Sequence, residues 1–408
     1  MKYFFLKTIL SIYCILIAIC FSAHCKKPEE QLNFHEKLNS SLRILILSKY
    51  SFDELSVSGS DLSIHVEPEN IYFKNNEVLR IRKNTLNWSV KAKTLHIKNR
   101  SFSVSSPSLM SLKFTSNGKI ISHEYSGEIE FNIHENKFQI INIVDAETYI
   151  HNTMISESSN LIEMLPQNSR TRSEFTETMK IVIRSFVHKN RGRHANESAD
   201  LCDLTHCMSF SGIRKIPELQ KAVLLTYRGG IVDAYFHSTC GGTLSGPEVF
   251  WSNIQLSSIY KKSEDNDIFG NVHCRFSPHY KWQASLSKST MEKITGLANI
   301  RSVELQYKEN RISGLKVSNP DKKTPVFIGI QAFLSETGRL LGWNVIKSNY
   351  FTIADRGDFF YFEGKGLGHG IGLCQWGAFQ MAKEGSSSKD ILKFYFPGAE
   401  LSEAEYFR

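Results

Sequence analysis

The sequence contains no internal repeat, no low-complexity linker and no long run of charge of one sign. Without a biased segment of this kind, the chain does not have the composition of a disordered tail. Instead, its 408 residues are 41% hydrophobic and 12% aromatic, which is enough to bury a sizeable core. The length allows two or more domains.

A long apolar run of the kind that crosses a membrane is also missing from the start of the chain. The apolar stretch at residues 8–21 is short, follows a basic start and precedes small residues. This layout predicts a secretory signal over residues 1–24, with an uncleaved anchor as the alternative. A lipid on Cys25 is less favoured, because His24 before it is not small. We therefore expect an exported protein of the periplasm or cell envelope.

The charge balance is moderately basic. The 49 Lys and Arg residues against 41 Asp and Glu residues give a formal net charge of +8. For an exported protein this balance favours an anionic polymer outside the cytoplasm over nucleic acid. An ordinary solvated surface is the competing interpretation, and charge alone does not separate the two.

Hydrophobic periodicity changes near residue 145. Residues 35–144 contain short alternating segments, such as "SGEIEFNIHENKFQIINIV", which predict a β-rich region with a turn at "HENK". After it, "AETYIHNTMISE" predicts a helix, and a second helix is predicted over residues 173–190. "AVLLTYRGGIVDAYFHS" predicts a hairpin with Gly229 and Gly230 at its turn. The predicted fold is α+β, with the β-rich region followed by a mixed core of helices and short antiparallel strands over residues 145–408.

Six separated segments of the chain form one set: "YSGEIEFNIHENKFQIINIVDAETYIHNTMISE", "MKIVIRSF", "CDLTHCMSFSG", "YFHSTCGGTLSGPEVFW", "CRFSPHYKW" and "GKGLGHGIGLCQWGAFQMAKEGSSSKDILKFYFPG". Together they resemble the stage II sporulation protein D (SpoIID) and amidase-enhancer family, also called the LytB family. They follow the family's order and cover roughly residues 42–398. In the first segment, Tyr149 and Glu157 match the family's Tyr and the Glu eight residues after it.

The resemblance implies a function. The family acts as a peptidoglycan lytic transglycosylase with a preference for strands that lack stem peptides. Glu157 is then the single general acid and base, and the product carries a 1,6-anhydro end. The alternative is a non-catalytic glycan-binding activator of a cell-wall amidase. Neither needs a cofactor for the chemistry, and glycan strands rather than nucleic acid are the expected partner.

The same resemblance suggests substrate-binding residues. The glycine-rich segment with His369 and Gln375 lies at the family's active cleft, and we expect His237 and Ser238 of "HSTCGG" to face a cleft as well. A core histidine and a helix-capping glutamine are the competing roles. Arg184 lies on an apolar helical face, where an unpaired charge is costly, so it should meet a carboxylate of the substrate or of the protein.

The chain departs from the family at four positions. Ser158 follows the catalytic Glu in place of Met, Met179 and Met208 replace Gln, and Cys374 replaces Ser. These changes either retune substrate contacts or mark a protein that binds glycan without cutting it.

Cysteine and histidine suggest a metal or disulfides. His194, Cys202, His206 and Cys207 have residue types suited to tetrahedral zinc, which would be structural because four protein ligands leave no open position. A Cys202–Cys207 disulfide is the alternative in an oxidising compartment.

Three further cysteines lie in the family's blocks. Cys240 and Cys274 are candidates for a disulfide with each other, and Cys374 would then be the odd free thiol.

Overall fold

The computed structural model describes residues 37–73, 77–85, 87–92, 96–217, 221–251 and 257–407. The predicted signal segment, residues 1–24, lies outside these ranges. The described residues belong to one compact unit, residues 35–408. Within them, no helix has both the length and the hydropathy needed for a membrane span.

The first part of the chain is built of short strands, as the alternating pattern predicts. Ile129 and Phe131 point into the core, while Glu128 and Glu130, which alternate with them, are partly exposed. The strands are β1 (Lys37–Asn39), β2 (Ser41–Leu45), β3 (Glu54–Ser58), β4 (Ser63–Val66), β5 (Glu69–Tyr72), β6 (Val78–Lys83), β7 (Trp88–Lys91), β8 (His96–Asn99), β9 (Phe102–Ser105), β10 (Met110–Ser116), β11 (Lys119–Tyr125), β12 (Glu128–His134) and β13 (Lys137–Asp145).

Two long helices follow, and both were predicted. The helix α1 (Ala146–Glu163) begins after Asp145, whose side chain accepts a hydrogen bond from the Thr148 amide and caps the helix. The helix α2 (Arg170–Lys189) buries the apolar stripe that predicted it, and the two helices pack against each other. The stripe consists of Phe175, Met179, Val182 and Phe186.

The rest of the chain alternates short strands with shorter helices. Its elements are β14 (Leu201–Cys202), β15 (Ala222–Tyr227), β16 (Gly230–Ile231), β17 (Phe236–His237), β18 (Lys281–Ser287), α3 (Lys288–Thr295), β19 (Ser302–Lys308), β20 (Arg311–Ser318), β21 (Val326–Gly329), α4 (Ile330–Leu341), β22 (Phe351–Asp355), β23 (Phe359–Lys365), β24 (Leu373–Cys374), α5 (Gln375–Lys383), α6 (Ser388–Tyr395) and β25 (Glu400–Phe407). The predicted hairpin is β15–β16, where Arg228 and Gly229 have positive φ and Gly230 begins the second strand.

The strands pair mostly antiparallel. The sheets have the orders β11-β10-β3-β6-β7-β8, β14-β2-β13-β12-β9-β4-β5, β1-β25-β15-β16, β18-β23-β22, β19-β20-β21 and β17-β24. Parallel pairs join distant parts of the chain: β1 with β25, β14 with β2, and β17 with β24. The α+β fold with a β-rich first part is confirmed.

The hydrophobic residues form two cores. The larger core contains side chains from the N-terminal strands, from α1 and α2 and from the C-terminal helices. The change near residue 145 therefore marks a change of secondary structure inside one core. The smaller core belongs to residues 281–365, which we call the insert lobe. It is centred on Trp282, Met291, Phe333 and Phe362.

Candidate active site

Glu157 lies in the second half of α1 and is half-buried. Its Oε1 accepts a hydrogen bond of 2.5 Å from the backbone amide of Ser209. Burial raises the pKa of the Glu157 carboxyl, and the Ser209 N–H offsets part of that increase. A carboxyl in this setting keeps its proton at a higher pH than an exposed glutamate does.

Gln375 joins the glycine-rich segment to α1. It is the first residue of α5, and its Nε2 donates to the backbone carbonyl of Glu157 at 3.3 Å. The fold therefore brings the predicted catalytic and Gln positions into direct contact, although they are 218 residues apart. Gln375 is largely buried, which limits how much of it a ligand can reach.

The glycine-rich loop between β23 and β24 needs its glycines for two reasons. Every second residue from Gly366 to Gly372 has positive φ. Neighbouring groups also leave no space for a side chain: a Cβ on Gly370 would lie 2.1 Å from Cζ of Arg311, and one on Gly372 would lie 2.1 Å from the Tyr235 carbonyl oxygen.

The His369 ring, carried by this loop, is surrounded by aromatic side chains. Its centroid lies 5.3 Å from His237, 5.4 Å from Trp251, 6.1 Å from Phe250 and 6.2 Å from Tyr235. These neighbours come from a distant part of the chain, so His369 has packing partners that its glycine neighbours do not supply. His369 remains partly exposed.

His237 is more deeply placed than the sequence predicts. It is 5% exposed, its Nδ1 lies 3.1 Å from the Ile371 carbonyl oxygen, and its Nε2 has no partner within the described part of the chain. Burial, His369 and Arg311 hold the pKa of His237 well below its ordinary value. Burial and Arg311 lower the pKa of His369 to about 4. Both rings are therefore neutral at pH 7.

Ser238 lies beside this pair. It is half-buried, its Oγ is 3.4 Å from Oγ1 of Thr239, and its carbonyl accepts a hydrogen bond of 3.1 Å from the Trp376 amide. The backbone of Ser238 therefore connects the "HSTCGG" segment to the start of α5.

Arg184 has its carboxylate partner inside the protein, which favours the structural one of the two roles that the sequence allows. Its side chain is 1% exposed and forms two hydrogen bonds to the Glu147 carboxylate, at 2.6 and 2.8 Å. Its remaining terminal nitrogen donates to the Val223 carbonyl at 3.0 Å, and Tyr406 also donates to Glu147. The expected carboxylate partner exists, and it belongs to the protein.

The four departures from the family pattern are all in the interior. Ser158, Met179, Met208 and Cys374 are each at most 2% exposed. They therefore change side-chain packing inside the protein.

The four residues of the expected zinc site converge. Nε2 of His194, Nε2 of His206 and the sulfurs of Cys202 and Cys207 all lie within 4.8 Å of one another. Nε2 of His194 is 3.2 Å from Nε2 of His206 and 3.4 Å from the Cys207 sulfur. Glu197 holds Nδ1 of His194 at 2.5 Å and so leaves Nε2 to face the cluster, as carboxylates do behind metal-ligating histidines. The donor set and its convergence fit tetrahedral zinc.

This cluster lies close in sequence to Ser209, whose backbone amide binds the Glu157 carboxyl. Ser209, the donor to the Glu157 carboxyl, comes two residues after Cys207. Whatever fixes Cys207 therefore also restricts the position of that donor.

The five cysteines in the described part of the chain are free thiols in this structure: Cys202, Cys207, Cys240, Cys274 and Cys374. The sulfurs of Cys240 and Cys274, the predicted disulfide, are 3.4 Å apart, compared with about 2.05 Å in a disulfide. Cys374 is not isolated either, since its sulfur accepts a hydrogen bond from the Cys240 amide at 3.2 Å.

Sequence reasoning missed several residues around these sites. Ser209 acts through its backbone, which no side-chain pattern reveals, and Arg311 comes from the middle of the insert lobe, which none of the quoted segments covers. Tyr235 and Trp251 are the first and last residues of the "YFHSTCGGTLSGPEVFW" segment, so their place in that motif was the available signal.

No family model matches the chain. An uncharacterized protein of Brachyspira hyodysenteriae is 24% identical over 310 residues, which cover 71% of this chain and 74% of that protein. The amidase enhancer of Bacillus subtilis is 25% identical over 230 residues, covering 47% of this chain and 33% of the enhancer.

The stage II sporulation protein D of Bacillus subtilis is 29% identical over 185 residues. That match covers 45% of this chain and 49% of the Bacillus protein. The chain thus spans about a third of the length of the amidase enhancer and about half of the length of the stage II sporulation protein D. These matches agree with the motifs in the sequence, and the chain is related to the SpoIID and amidase-enhancer family.

Proposed function

We propose that this protein cuts the glycan strands of peptidoglycan as a lytic transglycosylase, with Glu157 as its only general acid and base. The observation that carries the proposal is the setting of Glu157: a half-buried carboxyl with raised pKa and one backbone donor. Hydrolysis of glycosides ordinarily uses two carboxylates, whereas an intramolecular route needs one.

The hydrogen bond from Ser209 decides which oxygen carries the proton. Because Oε1 accepts the N–H, the acidic proton belongs on Oε2, which makes no hydrogen bond to the described residues. Oε2 donates this proton to the glycosidic oxygen as the bond breaks. The same carboxylate then accepts the proton of the sugar's 6-hydroxyl, whose oxygen closes the 1,6-anhydro ring.

The aromatic surroundings of His369 suit a sugar polymer. Trp251, Tyr235 and Phe250 offer flat apolar faces for sugar rings, and neutral histidines both donate and accept hydrogen bonds with hydroxyl and N-acetyl groups. Strands without stem peptides expose lactyl carboxylates and are anionic, which agrees with the net charge of +8. We infer that stripped strands are the substrate class.

A second candidate function is binding without cleavage. One relative is named amidase enhancer, and Ser158 beside Glu157 departs from the family pattern. In this version the chain holds stripped glycan and activates a cell-wall amidase. Loss of Glu157 separates the two candidates, since cleavage requires its proton and binding does not.

Export and a structural zinc complete the proposal. The signal-like start of the sequence would deliver the protein to the cell envelope, where glycan strands are found. His194, Cys202, His206 and Cys207 would hold the zinc, which would stabilise the segment that presents Ser209. The chemistry itself belongs to Glu157 and requires no cofactor.

The test is Glu157→Gln, with Glu163→Gln at the exposed end of the same helix as the matched control. Glutamine keeps the acceptor for Ser209 but cannot transfer the proton. We expect Glu157→Gln to abolish release of glycan fragments while pull-down on stripped strands persists, and Glu163→Gln to change neither. The melting temperature of Glu157→Gln should equal or exceed that of the wild type, because an amide avoids burying a charge. Continued release by a folded Glu157→Gln protein would refute the catalytic assignment.

A further inference from the structure

A second cluster of metal-binding residue types lies inside the protein, apart from the cluster of His194. It contains three thiols and one carboxylate: Cys240, Asp265, Cys274 and Cys374, each fully buried. Cys240 follows β17, Asp265 and Cys274 lie between β17 and β18, and Cys374 ends β24. Folding brings these four separate segments together at one point.

The distances suit one tetrahedral ion. The four donor atoms all lie within 4.8 Å of one another; the sulfurs of Cys240 and Cys274 are 3.4 Å apart, and the Cys240 sulfur is 2.9 Å from Oδ2 of Asp265. A zinc ion with bonds of about 2.3 Å to sulfur and about 2.1 Å to oxygen separates its ligands by about 3.6–3.8 Å. Only small movements of the side chains are needed to reach that geometry.

The third sulfur and the carboxylate argue for a metal rather than a disulfide. A Cys240–Cys274 bond would use two sulfurs and leave Cys374 and Asp265 buried beside it with no role in the link. A buried carboxylate is costly unless it is paired or bound to a cation. A metal ion uses all four groups at once.

Groups behind the cluster hold the donors in place. Oη of Tyr395 donates to Oδ1 of Asp265 at 2.9 Å and so leaves Oδ2 facing the sulfurs. The Gly242 amide donates to the Cys240 sulfur at 3.3 Å, and the Cys240 amide donates to the Cys374 sulfur at 3.2 Å. Such outer contacts orient ligands and favour thiolates in known metal sites.

The charge around the cluster points the same way. Arg311 is fully buried, and its terminal nitrogens donate to Asn349 and to the carbonyls of Cys240 and Thr243. No carboxylate among the described residues forms an ion pair with it. A divalent ion with three thiolates and one carboxylate has a net charge of −2. The negative charge of such a centre would partly offset the buried positive charge of Arg311.

We propose that Cys240, Asp265, Cys274 and Cys374 bind a second tetrahedral metal ion, with zinc as the favoured ion because thiolates predominate. The ion is structural, since four protein ligands leave no open position. It joins the segment that follows His237 to the residue that precedes Gln375. It would therefore fix the "HSTCGG" segment against the start of α5, independently of whether the protein cuts glycan.

The test measures zinc per chain in the full protein made under reducing conditions with zinc supplied. We expect two zinc ions for the wild type and one for His194→Ala/His206→Ala, which removes ligands of the first cluster only. We also expect one zinc ion for Cys274→Ser/Cys374→Ser and none for the four substitutions combined. In the His194→Ala/His206→Ala protein, Co²⁺ should give tetrahedral ligand-field bands together with thiolate charge-transfer absorption.

Metal content and a ¹¹³Cd spectrum of the wild-type protein test the proposal even if a variant fails to fold. Two metal ions per wild-type chain, with a ¹¹³Cd spectrum that resolves one resonance from two sulfurs and two nitrogens and another from three sulfurs and one oxygen, would support the second site. Folded wild-type protein whose ¹¹³Cd spectrum lacks the resonance from three sulfurs and one oxygen, or a Cys240–Cys274 disulfide found by peptide mapping of protein made under those conditions, would overturn it.

Discussion

At the scale of single residues, two glutamates on one helix show how surroundings decide chemistry. Glu147 and Glu157 are ten positions apart on α1. Burial acts to raise the pKa of both, but Arg184 outweighs it at Glu147 and lowers that pKa, whereas Glu157 has only the Ser209 amide and its pKa is raised. Glu147 is therefore a permanent charge that stabilises the fold, and Glu157 is the one suited to give a proton.

The raised pKa of Glu157 predicts the pH dependence of cleavage. The reaction begins with protonated Glu157, so kcat/KM should fall as pH rises through the pKa of the free enzyme. The midpoint of that decline should lie above about 4.3, the value for an unperturbed glutamate. Initial rates of fragment release from pH 4 to 8 measure it. A midpoint at or below the unperturbed value would show that the carboxyl is not shielded as described.

At the scale of elements, the ion pair between Glu147 and Arg184 joins α1 to α2. Removing one member leaves the other charge buried without a partner. Arg184→Met should therefore lower the free energy of unfolding at pH 7 by about 3–5 kcal/mol in urea titrations. Arg170→Met is the control, because the exposed Arg170–Glu174 pair on the same helix should contribute less than about 1 kcal/mol.

The acid dependence of stability provides a second readout for this pair. Since the pKa of Glu147 is lowered by folding, its contribution is present above its unfolded-state pKa and is lost as pH falls through the folded-state pKa. Arg184→Met should remove that part of the acid dependence, and adding Glu147→Gln should recover stability at pH 7. A loss no larger for Arg184→Met than for Arg170→Met would contradict a structural role for Arg184.

The close packing of the glycine-rich loop against Arg311 predicts a loss of stability when a side chain is added to the loop. Gly370→Ala places a Cβ at positive φ and within 2.1 Å of the buried Arg311 guanidinium, whereas Gly385→Ala places one at positive φ with no atom within 4 Å. Both variants carry the backbone strain, so their difference in melting temperature isolates the contact. Gly370→Ala should be much less stable and should lose glycan binding. Equal losses for the two variants would mean that Arg311 does not lie under this loop.

The elements also show what the sequence predicts and what it does not. The apolar stripe of α2 predicts that helix because one repeating face must be buried. The same reasoning predicts that Arg184 has a carboxylate partner, but it cannot choose one 37 residues away. The insert lobe went unrecognised because no motif covers residues 283–363, between its two ends. Its contacts with the loop come from Lys347, whose carbonyl accepts a hydrogen bond from the Gly368 amide, and from Arg311, which packs against Gly370.

At the scale of the whole molecule, contacts between distant segments assemble the candidate site. Glu157 comes from α1, Ser209 from the segment after Cys207, and Gln375 from the start of α5. The "HSTCGG" segment joins them through the β17–β24 pair. Arg311 of the insert lobe packs against Gly370 of the loop and donates to the carbonyl of Thr243. The family motifs indicated which segments matter. Their convergence, and that of Asp265 with three thiols, required the folded structure.

The central claim is that one carboxyl cuts glycan by an intramolecular route, and the ends of the products test it most directly. Purified strands without stem peptides are incubated with the wild type and with Glu157→Gln, and the fragments are analysed by mass spectrometry. We expect 1,6-anhydro-muramic ends with the wild type and no new ends with the variant. New reducing ends, on fragments one water heavier than the anhydro products, would contradict the claim. So would strands that stay intact after incubation with the wild-type protein.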